Sequence, residues 1–224
     1  TMEEYYQAKK LLFTPDMVRN ATVNVDEETA PEIIKDLTCP TLTYGISAKA
    51  DLFARDIEIT ESGVSFTLSL RKLHHERVHL LLTGMFNVYN ALAAVAAGSF
   101  FGIEPLDGFE ALKGYVPAGM RQRINKKCGI TFIEDCYNAS PDSVRAATEV
   151  LSTMKAGKKA FVFGDMLELG DFSKEAHRRV GEKASETECA LVVTFGEAAE
   201  DISKAFVENG GVAKAFQNKA ELTN

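Results

Sequence analysis

Hydrophobic positions in the first half of the chain change period several times. Tyr5, Ala8, Leu11 and Leu12 fall at helical spacing and predict a helix over 2–13. A short β-branched run predicts a strand over 21–25, and Asp26 stands where it could cap a helix over 27–37. Residues 41–44 read as another short strand. Residues 52–59, 64–70 and 77–82 read as strands separated by turn signals such as Glu61-Ser62-Gly63, which predicts a small antiparallel meander. The Ala-rich stretch 87–98 is apolar on nearly every face, so it reads as a buried helix. A shorter helix is expected over 106–112.

The rhythm changes past Val116-Pro117-Ala118-Gly119. Strands are predicted over 130–135, 160–163, 190–195 and 212–216, and helices over 142–154, 173–185 and 198–208, with a last helix beginning within 218–222. Strands alternating with helices imply right-handed crossovers and a mostly parallel, doubly wound α/β sheet. The Pro and Gly residues within 114–119 suit a hinge, so domains are expected over 1–116 and 117–224. Both ends read as cut from a longer chain.

Composition then narrows the function. Of the 224 residues, 46% are hydrophobic and 25% charged, an ordinary globular balance. The net charge of −7 argues against general nucleic-acid binding, because a phosphate backbone needs a basic face. It leaves room for a nucleotide held by a few local groups. No apolar run approaches the roughly 18 residues of a transmembrane helix, so no membrane insertion is expected. Cys39, Cys128, Cys136 and Cys189 lack C-x-x-C spacing and read as reduced thiols of a cytoplasmic protein. No G-x-x-x-x-G-K-[ST] occurs in these residues, hence no phosphate-cradling P-loop.

Five segments could carry chemistry. In Gly84-Met85-Phe86-Asn87-Val88-Tyr89-Asn90, Asn87 can cap the buried helix and Asn90 falls one turn later. An amide there is either a plain exposed side chain or a donor–acceptor pair suited to an adenine edge. Arg121 and Arg123 follow the hinge and either clamp a nucleotide or decorate an edge strand. In Glu134-Asp135-Cys136-Tyr137-Asn138-Ala139-Ser140-Pro141, Asp135 ends a strand, where a carboxylate can accept a ribose hydroxyl. Ser140 before Pro141 is good capping chemistry, whereas Tyr137 and Asn138 have no such structural duty. Phe161-Val-Phe-Gly-Asp-Met-Leu-Glu-Leu-Gly170 presents Asp165 and Glu168 where a strand gives way to a loop, with His177 in the next helix. These groups could bind a metal or an ammonium, while His177 reads first as a packing residue. Lys9 lies beside Ala8 in an apolar helix and could point partly inward, which would make it easily deprotonated. A snorkelling surface lysine is the plainer reading.

Taken in order, G-M-F-N-V-Y-N-A-L-A-A, G-M-R, E-D-C-Y-N-A-S-P, and F-G-D-M-L-E-L-G with S-x-x-x-H resemble the Mur ligase family. These are ATP-dependent amide-forming enzymes of peptidoglycan precursor synthesis. The last two motifs resemble the branch that joins D-alanyl-D-alanine to UDP-N-acetylmuramoyl-tripeptide. The start, Thr1 to Lys9, looks more like the branch that adds the third stem residue, so a hybrid of the two is open.

The resemblance implies the second half of a central ATPase domain followed by a Rossmann-like carboxyl-terminal domain. It implies ATP and Mg2+ as cofactors, and UDP-N-acetylmuramoyl-peptide and D-alanyl-D-alanine as substrates of a monomeric bacterial enzyme. Lys9 resembles the lysine that is carbamylated and helps hold magnesium. Asn87, Asn90 and Arg121 would belong to the adenine site, and Asp135 to the ribose site. Tyr137, Asn138 and Ser140 would line the cleft facing the incoming amine. The implied reaction passes through an acyl phosphate, with this chain inactive alone for want of a P-loop. A non-catalytic nucleotide-binding or interaction module is the reading from a different class.

Overall fold

The computed structural model describes residues 2–47, 49–60, 62–70, 74–115, 123–137 and 139–222. The chain falls into two compact units, Thr1–Tyr115 and Val116–Asn224, each with its own buried cluster.

The first unit begins with α1 (Met2–Lys10), which tightens into a 3-10 turn at Leu11–Phe13. Strand β1 (Ala21–Asn24), helix α2 (Ala30–Asp36) and strand β2 (Thr41–Gly45) make a parallel crossover. Strands β3 (Leu52–Thr60), β4 (Gly63–Leu70) and β5 (His74–Leu80) follow, then helices α3 (Met85–Ser99) and α4 (Pro105–Leu112). All five strands join one sheet in sequence order. It is parallel from β1 to β3 and antiparallel from β3 to β5. The meander expected from the sequence is therefore half of a mixed sheet.

Alternation along β4 turns Val64, Phe66 and Leu68 inward, and α3 lays Val88, Ala91, Leu92, Val95 and Ala96 in the same cluster. Phe109 of α4 meets Phe66 edge to face, with ring centres 5.6 Å apart. Each fully buried side chain of this size contributes roughly 1.5–3 kcal/mol, so this layer anchors the unit.

Helix α2 starts later than the sequence suggested, and Asp26 does not cap it. The first turn contains Pro31, whose missing N–H suits a helix start. Asp26 stands too far upstream and turns to the neighbouring strand's loop instead, accepting from the Ile46 amide at 2.6 Å.

The second unit opens with a hairpin of β6 (Arg123–Lys127) and β7 (Ile130–Glu134). Helix α5 (Pro141–Thr153), β8 (Ala160–Phe163), α6 (Ser173–Ser185), β9 (Leu191–Phe195), α7 (Glu200–Glu208), β10 (Ala213–Phe216) and α8 (Lys219–Leu222) follow. Strands β10-β9-β8 form a wholly parallel sheet in that order. The strand predicted over 130–135 was expected in that sheet, but among the described residues it pairs with β6. The cause is local. Cys128 (φ 51) and Gly129 (φ 74) form a two-residue turn with both φ positive, which matches the twist of a tight hairpin and commits β7 to its sequence neighbour.

Because β8 and β9 are parallel, the segment 164–172 before α6 and the segment 196–199 before α7 lie at the same end of the sheet. Helix α5 precedes β8 and runs back to its start, which brings 135–137 and 139–140 to that end too. Ala139 and Val144 pack against the buried cluster that contains Met166. Ligands of open α/β sheets bind beyond the carboxyl ends of the strands, so this end is where a site is expected.

Candidate active site

In the first unit the carboxyl ends of β1 and β2 meet the amino end of α3. Asp26 is the hub: its Oδ2 accepts from the Ile46 amide at 2.6 Å and from the Tyr89 hydroxyl at 3.2 Å. Gly45 makes the approach possible, since a Cβ there would meet Asp26 Oδ2 at 2.6 Å. Burial holds the Tyr89 hydroxyl up to about 12, with the Asp26 charge and hydrogen bond adding to it. Sequence reasoning missed this pair, for no spacing rule links positions 26 and 89.

Asn87 was expected to accept from the free amides of the first turn of α3. It does the opposite. The helix starts two residues earlier, after Gly84 (φ 96), and Asn87 Nδ2 donates to the Thr83 carbonyl at 2.7 Å. Its Oδ1 lies 3.5 Å from Asn90 Nδ2. Asn90 is exposed at this end of α3, and among the described residues its carbonyl oxygen has no partner. The donor and acceptor that an adenine edge needs remain available there.

Lys9 is exposed rather than turned inward, and its ammonium lies 5.4 Å from the centre of the Tyr5 ring. The helix faces α2 with other residues: Tyr6 donates to Glu32 at 2.9 Å and Lys10 pairs with Asp36 at 2.6 Å. Apolar positions at helical spacing could not distinguish these neighbours. Among the described residues, no group of three or more His, Cys, Asp or Glu side chains gathers as a metal site.

In the second unit, Asp135 is half-buried just past β7, and Tyr137 is exposed. Ser140 is the N-cap of α5 in a reciprocal pair: Ser143 N donates to Ser140 Oγ at 3.2 Å, and Ser140 N donates to Ser143 Oγ at 2.9 Å. The capping reading of Ser140 therefore holds, although its exposed hydroxyl stays at the ligand-facing end. Arg121 and Asn138 lie outside the described residues.

The segment 164–170 assigns its polar groups to structure. Asp165 Oδ1 accepts from the Ala199 amide at 2.7 Å, across the end of the sheet at the start of α7. Gly196 (φ 110) faces it so closely that a methyl group there would overlap the carboxylate. His177 is fully buried. Its Nε2 accepts from the Met166 amide at 3.0 Å, which places the ring proton on Nδ1, donated to the Ser173 carbonyl at 2.7 Å. Packing is thus the right description of His177, and among the described residues no carboxylate hydrogen-bonds to it. The groups left outward are Leu167, 72% exposed, and Glu168, exposed with φ 62.

Two family models match the chain in order. The Mur ligase middle domain covers residues 1–98, and the domain described as Mur ligase, glutamate ligase domain covers 121–224. The chain is 38% identical over 162 residues to the UDP-N-acetylmuramoyl-tripeptide--D-alanyl-D-alanine ligase of Bacillus subtilis (strain 168), covering 71% of this chain and 35% of that protein. It is 34% identical over 185 residues to the UDP-N-acetylmuramoyl-L-alanyl-D-glutamate--2,6-diaminopimelate ligase of Caldanaerobacter subterraneus subsp. tengcongensis, covering 82% of this chain and 37% of that protein. A crystal structure of MurF from Acinetobacter baumannii superposes with a TM-score of 0.86 at 29% identity, covering 99% of this chain and 48% of that one. The chain spans about a third of the length of the curated relatives it matches.

Proposed function

This chain belongs to the Mur ligase family, and from that premise we infer that it is part of an ATP-dependent ligase that joins D-alanyl-D-alanine to UDP-N-acetylmuramoyl-tripeptide. The observation that carries the reading is the 38% identity to the Bacillus subtilis enzyme of that activity. Residues 1–116 would be part of the central domain, and residues 117–224 the carboxyl-terminal domain.

The roles then divide between the two units. Asn90 would read an adenine edge, with Asn87 fixing the turn on which it stands, and Arg121 would be a nucleotide contact of the second unit. Asp135 would accept a ribose hydroxyl. Tyr137, Asn138 and Ser140 would line the approach of the incoming amine. When bound, ATP supplies the phosphoryl group that activates the stem carboxylate as an acyl phosphate. The protein's part is to orient the carboxylate and the amine and to exclude water between them. Lys9, once carbamylated, would offer an oxygen ligand suited to magnesium.

A second reading has its own support: the diaminopimelate-adding relative aligns over 82% of this chain, more than the D-alanyl-D-alanine-adding one. One assay separates the two. The full ligase containing this chain is given ATP and either UDP-N-acetylmuramoyl-tripeptide with D-alanyl-D-alanine, or the dipeptide precursor with diaminopimelate, and ADP release is followed. Turnover with the first pair is expected. Turnover with the second alone would replace the reading.

A further inference from the structure

Glu168 has no role in the reading above. Both flanks of Leu167-Glu168 are pinned: Asp165 by the Ala199 amide, Met166 by the buried ring of His177, and Leu169 by packing against the core of the second unit. Between these fixings Glu168 holds a left-handed φ of 62, a conformation that a side chain with a Cβ disfavours. A glycine would adopt it freely, so the fold does not need a glutamate there. Among the described residues its exposed carboxylate has no hydrogen-bond or ion-pair partner. Strain of this kind, over-determined by its surroundings and spent on presenting a side chain, concentrates at ligand sites. The tip also stands beyond the carboxyl end of β8, at the same end of the unit as Asp135, Tyr137 and Ser140.

We propose that Leu167 and Glu168 form a subsite for the incoming amino component, the Glu168 carboxylate taking its ammonium and Leu167 contacting the adjoining methyl group. The inference rests on the ligase reading. A short peptide with a free amino terminus carries that pair of features, a cation beside a small apolar group. Neither Asp165 nor His177 can serve, because hydrogen bonds to the fold already occupy the facing atoms of both. Both are positioning residues for the tip.

The test uses the full ligase containing this chain, with Glu168→Gln and Glu168→Gly. Loss of one charged hydrogen bond predicts that the KM for D-alanyl-D-alanine rises about tenfold in both variants. The KM values for ATP and the UDP-linked substrate should stay within twofold. Glu168→Gly relieves the backbone strain, so it should melt at a higher temperature than the parent while binding the dipeptide more weakly. A variant with normal melting and an unmoved dipeptide KM overturns the inference, as does a fall in kcat alone. If the parent enzyme does not use D-alanyl-D-alanine at all, the ligase reading fails and takes the subsite with it. If the parent does use it and Glu168→Gln matches it, only the subsite fails.

Discussion

Asp26 in the first unit and Asp165 in the second perform the same task. Each follows the carboxyl end of a parallel strand. Each accepts a backbone amide from the loop after the next strand, Ile46 at 2.6 Å and Ala199 at 2.7 Å. Each faces a glycine that leaves no room for a side chain, Gly45 and Gly196. They differ in what stands behind them. Asp26 is exposed and shares its oxygen with Tyr89, whereas half-buried Asp165 adjoins Met166, whose amide is held by a fully buried histidine. A carboxylate bridging two strand ends is thus a fastening in both units. Its worth depends on whether water can replace it.

The largest expected effect comes from removing the support that only the second unit has. His177→Ala leaves a cavity and orphans the buried Met166 amide, so it should destabilise the second unit by roughly 3–4 kcal/mol. Urea unfolding followed by probes in each unit should show the second unit melting early with the first unmoved. Equal loss in both units would break the comparison.

Next come the paired glycines. Gly196→Ala combines a φ of 110 with overlap of the Asp165 carboxylate and should cost about 2–3 kcal/mol. Gly45→Ala meets an exposed Asp26 side chain that can swing into water, so about 1 kcal/mol or less is expected. The aspartates themselves should follow the same order. Asp165→Ala leaves the amide of fully buried Ala199 unpaired, roughly 1–2 kcal/mol, while Asp26→Ala exposes the Ile46 amide to solvent at about 0.5 kcal/mol. Denaturant midpoints of the four variants test the ranking, and a larger loss at Gly45 than at Gly196 would reverse it.

The sequence read elements better than partners. Strand 160–163 and helix 173–185 were legible to the residue, because apolar periodicity and flanking breakers are local signals. The hairpin of β6 and β7 was missed because strand–helix alternation suggested a parallel partner, and Cys128-Gly129 is not one of the dipeptides that announce a two-residue turn. At the sites, residue type was legible and direction was not. Asn87 was seen as a capping side chain, but which backbone group it meets depends on where α3 starts, two residues earlier. Asp165 was seen as a carboxylate at a strand end, but the Ala199 amide that claims it lies 34 residues on. Contacts that distant are set by the sheet, and a single sequence does not display them.

The smallest effect is spectroscopic and tests the sharing of Asp26. Tyr89 is held above its ordinary 10.0, to about 12, first by burial and then by the charge and hydrogen bond of Asp26. The folded state therefore keeps the phenol proton longer than the unfolded chain does. The stability this contributes is fully present below pH 10 and is lost as pH rises through about 12. Ultraviolet titration, read as the difference from Tyr89→Phe, should show Tyr89 ionising late, beyond the smaller upward shifts of Tyr6 and Tyr44. Asp26→Ala should lower its midpoint only part of the way toward 10.0, because burial is the leading cause and remains. A return all the way to the ordinary value would make Asp26 the principal cause. It would also mean that the carboxylate is committed to Tyr89 rather than to the Ile46 amide, so the two aspartates would no longer be equivalent fastenings.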